Sequence, residues 1–216
     1  GRVDEKTRVC MSLFRASGGL RYHWRAWRDR HGWESFRQEI EIWLEEWPLT
    51  NPELILIGPS GGYTLPTKWL KRFSNIYAYD ADPLAPWFFR RQHPDVNVHF
   101  QRCDLFWEDG RYSAQSLVRI LKRRPDAAVL MSNVLGQLLL EHPVNEEAWE
   151  GFLLELRTRL SAQPWASYHD LYTHENGEII DHLLDGKWKH GLITRQFRWP
   201  LTQSSQHLIE GVRNSL

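Results

Sequence analysis

Apolar positions along the chain recur with two different periods, and the alternation between them sets the expected fold class. Within residues 20–47, Phe36, Ile40, Trp43, Leu44 and Trp47 fall three or four positions apart. That spacing places them on one face of a helix. Glu34, Arg37, Gln38, Glu39, Glu41, Glu45 and Glu46 cover the rest of its surface. Pro48 then stops it. Beyond this point short apolar runs of strand length alternate with amphipathic runs. Residues 54–57, 76–80, 96–100, 127–131 and 166–171 read as five strands. Between them, 66–73 reads as a short helix with Leu65, Trp69, Leu70 and Phe73 inward. Further helices are expected at 83–92, with Pro83 in the first turn, at 114–123, and at 145–160 with Asn145 as cap. A helix at 178–184 closed by Gly186 and two final strands, 192–199 and 207–212, complete the pattern.

Five strand–helix alternations followed by two strands predict an α/β fold. It is a Rossmann-like, seven-stranded, mainly parallel sheet with a terminal antiparallel pair and helices on both faces. Residues 1–50 are expected to form an N-terminal helical cap segment, and 51–216 the main domain. Ligands of such sheets bind beyond the carboxyl ends of the strands, near the point where strand order reverses. Attention therefore falls on the loops at 58–65, 80–83, 101–107, 132–137 and 169–177.

The first of these loops is GPSGGYT. Gly58, Gly61 and Gly62 permit backbone conformations and close approaches that other residues resist. The amides of the helix that follows suit a carboxylate, a phosphate or a sugar oxygen. At the next strand end, Asp80 is placed to take hydrogen bonds from a ribose diol, while Asp82 reads as a helix cap. Asp104, with Leu105 and Phe106 beside it, either holds an adenine or is a solvated turn residue. Ser132 and Asn133 either face the cleft or cap the next helical turn. In the fifth strand, alternation puts Tyr168, Asp170 and Tyr172 on one face and His169 on the other. No HExxH motif and no P-loop ending is present.

Composition narrows the setting. Twenty-seven basic and 27 acidic side chains cancel, which argues against bulk capture of nucleic acid or an anionic membrane. The basic aromatic run RYHWRAWRDRHGW at 21–33 is the one nucleic-acid hint; a solvated helix face with buried tryptophans is the favoured reading. The twelve tryptophans are read mainly as packing residues. Cys10 and Cys103 form no CxxC pair, so a metal site is unsupported and a reducing, cytoplasmic setting is expected. Neither a membrane-length apolar run nor a signal peptide is visible. The chain opens on Gly1 rather than methionine, as a trimmed start would.

Taken in order, the glycine turn at 58–62, the acids at 80 and 104 and the polar loop at 132–133 resemble the class I S-adenosylmethionine-dependent methyltransferases. The resemblance spans roughly residues 53–212. It implies S-adenosyl-L-methionine as cofactor, with Gly58, Pro59, Ser60, Gly61 and Gly62 around its methionine part. It also implies Asp80 on the ribose, Asp104 and Leu105 beside the adenine, and Asn133 near the transferred methyl. Tyr63 is the nearest aromatic face for the sulfonium. Two departures stand out. Ser60 occupies the middle-glycine position, and Leu56 stands where the family often has an acid, so Glu53 becomes the substitute candidate. No catalytic residue is assigned, because methyl transfer from a sulfonium needs mainly positioning. The acceptor, small molecule or protein, is not identified. A non-catalytic methyltransferase-like binding or assembly module is the competing expectation; a nicotinamide oxidoreductase fits less well.

Overall fold

The computed structural model describes residues 19–28, 31–174, 192–202 and 205–214. The expected helix at 178–184 lies outside them. Two helices open the described chain, α1 (Gly19–Arg28) and α2 (Glu34–Glu45). They replace the single helix expected over 20–47. A turn at 31–33 separates them, and Gly32 within it is a poor helix former.

A parallel sheet begins with β1 (Glu53–Ile57), β2 (Asn75–Asp80) and β3 (Val98–Arg102). Between these lie α3 (Thr67–Leu70) and α4 (Ala85–Gln92). Pro86, not Pro83, sits in the first turn of α4. A small hairpin, β4 (Trp107–Glu108) and β5 (Arg111–Tyr112), follows and was not foreseen. Then come α5 (Gln115–Arg123), β6 (Ala128–Ser132), α6 (Leu135–Glu141), α7 (Glu146–Arg159), β7 (Trp165–His174), β8 (Leu192–Thr202) and β9 (Ser205–Asn214).

The main sheet has the order β3-β2-β1-β6-β7-β9-β8. β1 pairs in parallel with β2 and β6, and β6 with β7. β9 runs antiparallel between β7 and β8, so the expected terminal antiparallel pair is present. The order reverses between β1 and β6, so their carboxyl ends frame the crevice. A bulge between Asp170 and Tyr172 shifts the β7 register. The alternation expected from Tyr168 through Tyr172 therefore does not run unbroken.

Period-2 alternation divides the strand side chains between two cores. Leu54, Leu56, Ile76, Ala78, Ala128, Leu130, Ala166 and Tyr168 face one layer. Ile55, Ile57, Tyr79, Val129, Met131 and Trp165 face the other. The first layer is closed by the expected α2 face, Phe36, Ile40, Trp43 and Leu44, with Trp47, Leu65, Trp69, Leu70 and Phe73. Residues before the sheet thus share its core. The second is closed by Leu117 and Leu121 of α5, Leu138 of α6, and Phe152 and Leu156 of α7. Each fully buried Leu, Ile or Phe contributes on the order of 2 kcal/mol. Trp47 stacks on Trp69 at 6.3 Å, and the Trp69 indole donates to the Leu44 carbonyl over 3.1 Å. At the far end of the chain, buried Arg213 of β9 donates to the Trp43 carbonyl over 2.8 Å. As expected, the Asn145 side chain caps α7 by accepting from the Ala148 amide at 2.9 Å.

Candidate functional site

The chain leaves β1 through a turn with three left-handed residues: Gly58 (φ 64°), Ser60 (φ 49°) and Gly62 (φ 69°). The Gly58 amide still donates to the Tyr79 carbonyl at 2.8 Å, so the turn starts flush with the sheet. Ser60 thus keeps the conformation that a glycine would adopt. A left-handed non-glycine residue costs on the order of 1 kcal/mol. The Ser60 amide offsets this by donating to Asp80 Oδ2 at 2.7 Å, a charge-assisted hydrogen bond. The Ser60 hydroxyl is buried and has no hydrogen-bond partner among the described residues.

Asp80 ends β2 beside this turn. Its second oxygen accepts from the Asp82 amide at 2.8 Å. Burial pushes its carboxyl up to about 6, against those two amide hydrogen bonds; the charges of Asp82 and Glu141 push the same way as burial. An ionised carboxylate offers about four acceptor positions, and two are used here. The others remain for a ligand with hydroxyl donors.

Two adjoining cavities share Gly58, Ser60, Asn133 and Gln137. The first adds Asp80, Asp82, Asp104, Leu105, Phe106 and Glu141. The second adds Tyr22, Pro59, Tyr63, Thr64, Ser132 and Tyr168. Eight of the ten residues singled out from sequence therefore line one cavity or the other. Gly61 and Gly62 line neither. A Cβ on Gly62 would stand 2.7 Å from His93 Nε2 and 2.8 Å from the Phe89 ring, so this glycine faces protein. His93 accepts from Thr67 Oγ1 at Nδ1 (2.7 Å) and donates from Nε2 to the Gly62 carbonyl (3.0 Å), pinning the turn from behind. Burial lowers its pKa below the ordinary value, the Gly62 hydrogen bond opposing.

Glu53 cannot serve as the missing acid. It lies at the amino end of β1, where it meets Arg124 at 3.4 Å and the Tyr77 hydroxyl at 3.3 Å. Leu56 is fully buried in the first core layer. Glu141, at the end of α6, supplies a carboxylate to the first cavity instead. The sequence pattern marks a loop at 132–137 and no helix beyond it, so nothing in it points to Glu141. In fact Ser132 ends β6, Asn133 is left-handed (φ 55°), and α6 starts at Leu135 without a side-chain cap. Ser132 bonds to the Tyr168 hydroxyl rather than capping a helix. Tyr168 also meets Thr64 Oγ1 at 2.7 Å. Burial raises its hydroxyl to about 12, the Ser132 and Thr64 hydrogen bonds opposing, so it stays a donor at neutral pH. Asp104 lies 3.3 Å from His142 Nε2, and His142 stacks on Trp107 at 4.1 Å. The Cys103 thiol is pushed up to about 11 by burial and by Asp104 and Asp80, which keeps it protonated at neutral pH.

Asp82 does more than the capping expected of it. It accepts from the Leu84 amide at 2.9 Å, ahead of α4. Its Oδ2 also accepts from the Gly19 amide at 2.8 Å and lies 3.0 Å from His23 Nε2. Burial alone would raise its carboxyl, but hydrogen bonds from His23, Gly19 and Leu84 outweigh this and hold it below the usual value. His23, fully buried and stacked on Phe88 at 3.8 Å, reaches the Tyr63 hydroxyl from Nδ1 at 2.8 Å. Burial, then Asp82, raise the Tyr63 hydroxyl well above its ordinary value. Elsewhere on the basic aromatic run, Trp33 is buried while Trp24 and Trp27 are exposed, with Arg28 over the Trp24 ring at 4.9 Å. That face is therefore less covered than its sequence suggested.

Among the described residues no cluster of three His, Cys, Asp or Glu side chains is placed to hold a metal ion. Nor is any described helix long and apolar enough to cross a membrane.

No protein-family model and no curated protein matches the sequence. Solved structures do match. An S-adenosylmethionine-dependent methyltransferase of Anabaena variabilis superposes with TM-score 0.50 at 13% identity, over 86% of this chain and 94% of that one. A magnesium protoporphyrin IX methyltransferase of Synechocystis, bound to S-adenosylmethionine, gives TM-score 0.49 at 17% identity, over 100% and 99% of the two chains. With the strand order, the first likeness establishes the class I methyltransferase fold.

Proposed function

We propose that the chain is an S-adenosylmethionine-dependent methyltransferase, with the cofactor in the first cavity and the methyl acceptor in the second. One observation carries the reading. Asp80 stands at the end of β2, next to the point of strand reversal, with both oxygens fixed by backbone amides and acceptor positions left over. That is what a ribose diol requires.

The residues present fit the rest of the cofactor. Leu105 and Phe106 offer an apolar wall for a purine, and Asp104 an acceptor for its amine. Gly58 and Ser60, which line this cavity, and the unpartnered Ser60 hydroxyl are available to the methionine part. Asp80, Asp82, Asp104 and Glu141 make the cavity acidic, which suits a ligand with ammonium and sulfonium charges. When bound, that ligand supplies an activated methyl group. The chain's own work is to orient it, exclude water and hold the acceptor in line. Asn133 and Gln137, common to both cavities, stand at the boundary where transfer would occur, and the Tyr63 ring offers a π face on the acceptor side.

Calorimetry with S-adenosylmethionine, S-adenosylhomocysteine and NADH tests the reading. Micromolar binding of the first two alone, abolished by Asp80→Ala, is the expected result. Tight NADH binding, or unchanged affinity in Asp80→Ala, refutes it. A non-catalytic binding module would take up the same ligands and differ only in transferring no methyl group.

A further inference from the structure

We infer that Tyr63, His23 and Asp82 form a proton relay that accepts the proton of a neutral hydroxyl acceptor docked in the second cavity. This rests on the methyltransferase reading above.

Three observations converge. The first is the chain of contacts. Asp82 Oδ2 to His23 Nε2 is 3.0 Å, and His23 Nδ1 to Tyr63 Oη is 2.8 Å. An ionised carboxylate only accepts, so the Nε2 nitrogen carries a proton. In a neutral ring Nδ1 then accepts from the Tyr63 hydroxyl. This is the orientation that a carboxylate–imidazole pair gives a general base.

The second is the fixing of each member. The His23 ring is sealed from solvent and held by Phe88. Asp82 is held by the Gly19 and Leu84 amides. The relay is assembled from α1, the turn after β1 and the segment after β2, so it exists only in the folded site.

The third is the charge of the cavities. Their described lining carries four carboxylates and no Lys or Arg. An anionic acceptor, such as a carboxylate or phosphate, meets no Lys or Arg among the described lining residues. Hydroxyl and amide groups of Thr64, Ser132, Tyr168, Asn133 and Gln137 suit a neutral polar group instead. A neutral hydroxyl is a weak nucleophile and needs its proton removed as it reacts.

The step balances as follows. The acceptor oxygen forms a bond to the methyl carbon as the carbon–sulfur bond breaks, the sulfur keeping the electron pair. The acceptor proton passes to Tyr63 Oη while the Tyr63 proton passes to His23 Nδ1. The resulting imidazolium faces the Asp82 carboxylate, and its extra proton later returns to solvent.

Two measurements on the whole protein test this. Nitrogen-15 NMR of histidine-labelled protein saturated with S-adenosylhomocysteine, with His23 assigned by His23→Gln, reads its protonation at pH 7.5. A neutral ring with the proton on Nε2 is expected. An imidazolium, or a proton on Nδ1, overturns the relay. Transfer of labelled methyl to phenol and to benzoate is then compared in the native protein, Tyr63→Phe and His23→Gln. The expected result is transfer to phenol over benzoate, reduced about a hundredfold in both variants, with S-adenosylhomocysteine affinity kept within about threefold. A preference for benzoate, no transfer to phenol by protein that binds the ligand, or undiminished transfer by Tyr63→Phe refutes it. Failure of the native protein to bind S-adenosylhomocysteine sinks the underlying reading instead.

Discussion

If the proposed ribose site is right, Asp80 should link ligand affinity to pH. Its carboxyl is raised to about 6 by burial and by the neighbouring acids Asp82 and Glu141. Hydroxyl donors of a ribose bind the ionised form. At pH 5 about one-eleventh of the sites are ionised, and at pH 7 about ten-elevenths, so affinity should weaken roughly tenfold between them. Folding stability should depend on pH through the same carboxyl. An acid whose folded pKa is raised binds more protons native than unfolded, between about pH 4 and pH 6. Stability from this group is therefore greatest below that window and falls as pH rises through it, by at most about 3 kcal/mol. Asp82 acts the other way and in a different range. Held low, it contributes above the unfolded carboxyl value and loses that contribution only as pH falls through its own lower one. The assay is titration calorimetry of S-adenosylhomocysteine at pH 5, 6, 7 and 8, with Asp80→Asn as control. A tenfold trend in the native protein, absent in the control, is expected. Constant affinity over pH 5 to 7, or tighter binding at pH 5, refutes the reasoning.

Two further perturbations test the scaffold. Gly62→Ala combines a left-handed backbone with a Cβ 2.7 Å from His93 Nε2, so urea denaturation should show a loss of about 2–4 kcal/mol. Gly110→Ala, left-handed but with nothing within 4 Å, should lose only about 1 kcal/mol; equal losses would remove the crowding argument. Asn145→Ala takes away the cap on the Ala148 amide and should cost about 1 kcal/mol in the same assay, and no loss would mean that α7 does not depend on its cap.

Local patterns carried most of the sheet. The alternation Leu54, Ile55, Leu56, Ile57 already told which side chains face which layer, because strand geometry fixes it residue by residue. The α2 face, from Phe36 to Leu44, was legible for the same reason at a different period. Asp80 was legible because a strand end followed by a helix start has few arrangements. What failed depended on distant partners. α6 opens with Leu135 and Gly136 after Val134, which gives no side-chain cap; this is a weak helical signal, and the segment becomes a helix by packing on the second layer. Glu141 was lost with it. The β4–β5 hairpin is held by Trp107 against His142 and by the Tyr112 hydroxyl on the Leu138 and His142 carbonyls. Nothing local marked His23 as the centre of a buried hydrogen-bond chain. Its partners, Tyr63 and Asp82, stand 40 and 59 positions away, and only the folded chain brings them together.

The position of β9 governs how the protein emerges during synthesis. β7 pairs with β9, and β8 reaches the sheet only through β9. A nascent chain that has released β8 but not β9 therefore presents β7 as a bare edge, open to pairing with other chains. Arg213, which anchors α2 through the Trp43 carbonyl, is also among the last described residues to leave the ribosome. A chain stopped before β9 would leave β8 without a partner strand and α2 without its Arg213 anchor, and would be a substrate for chaperones or proteases.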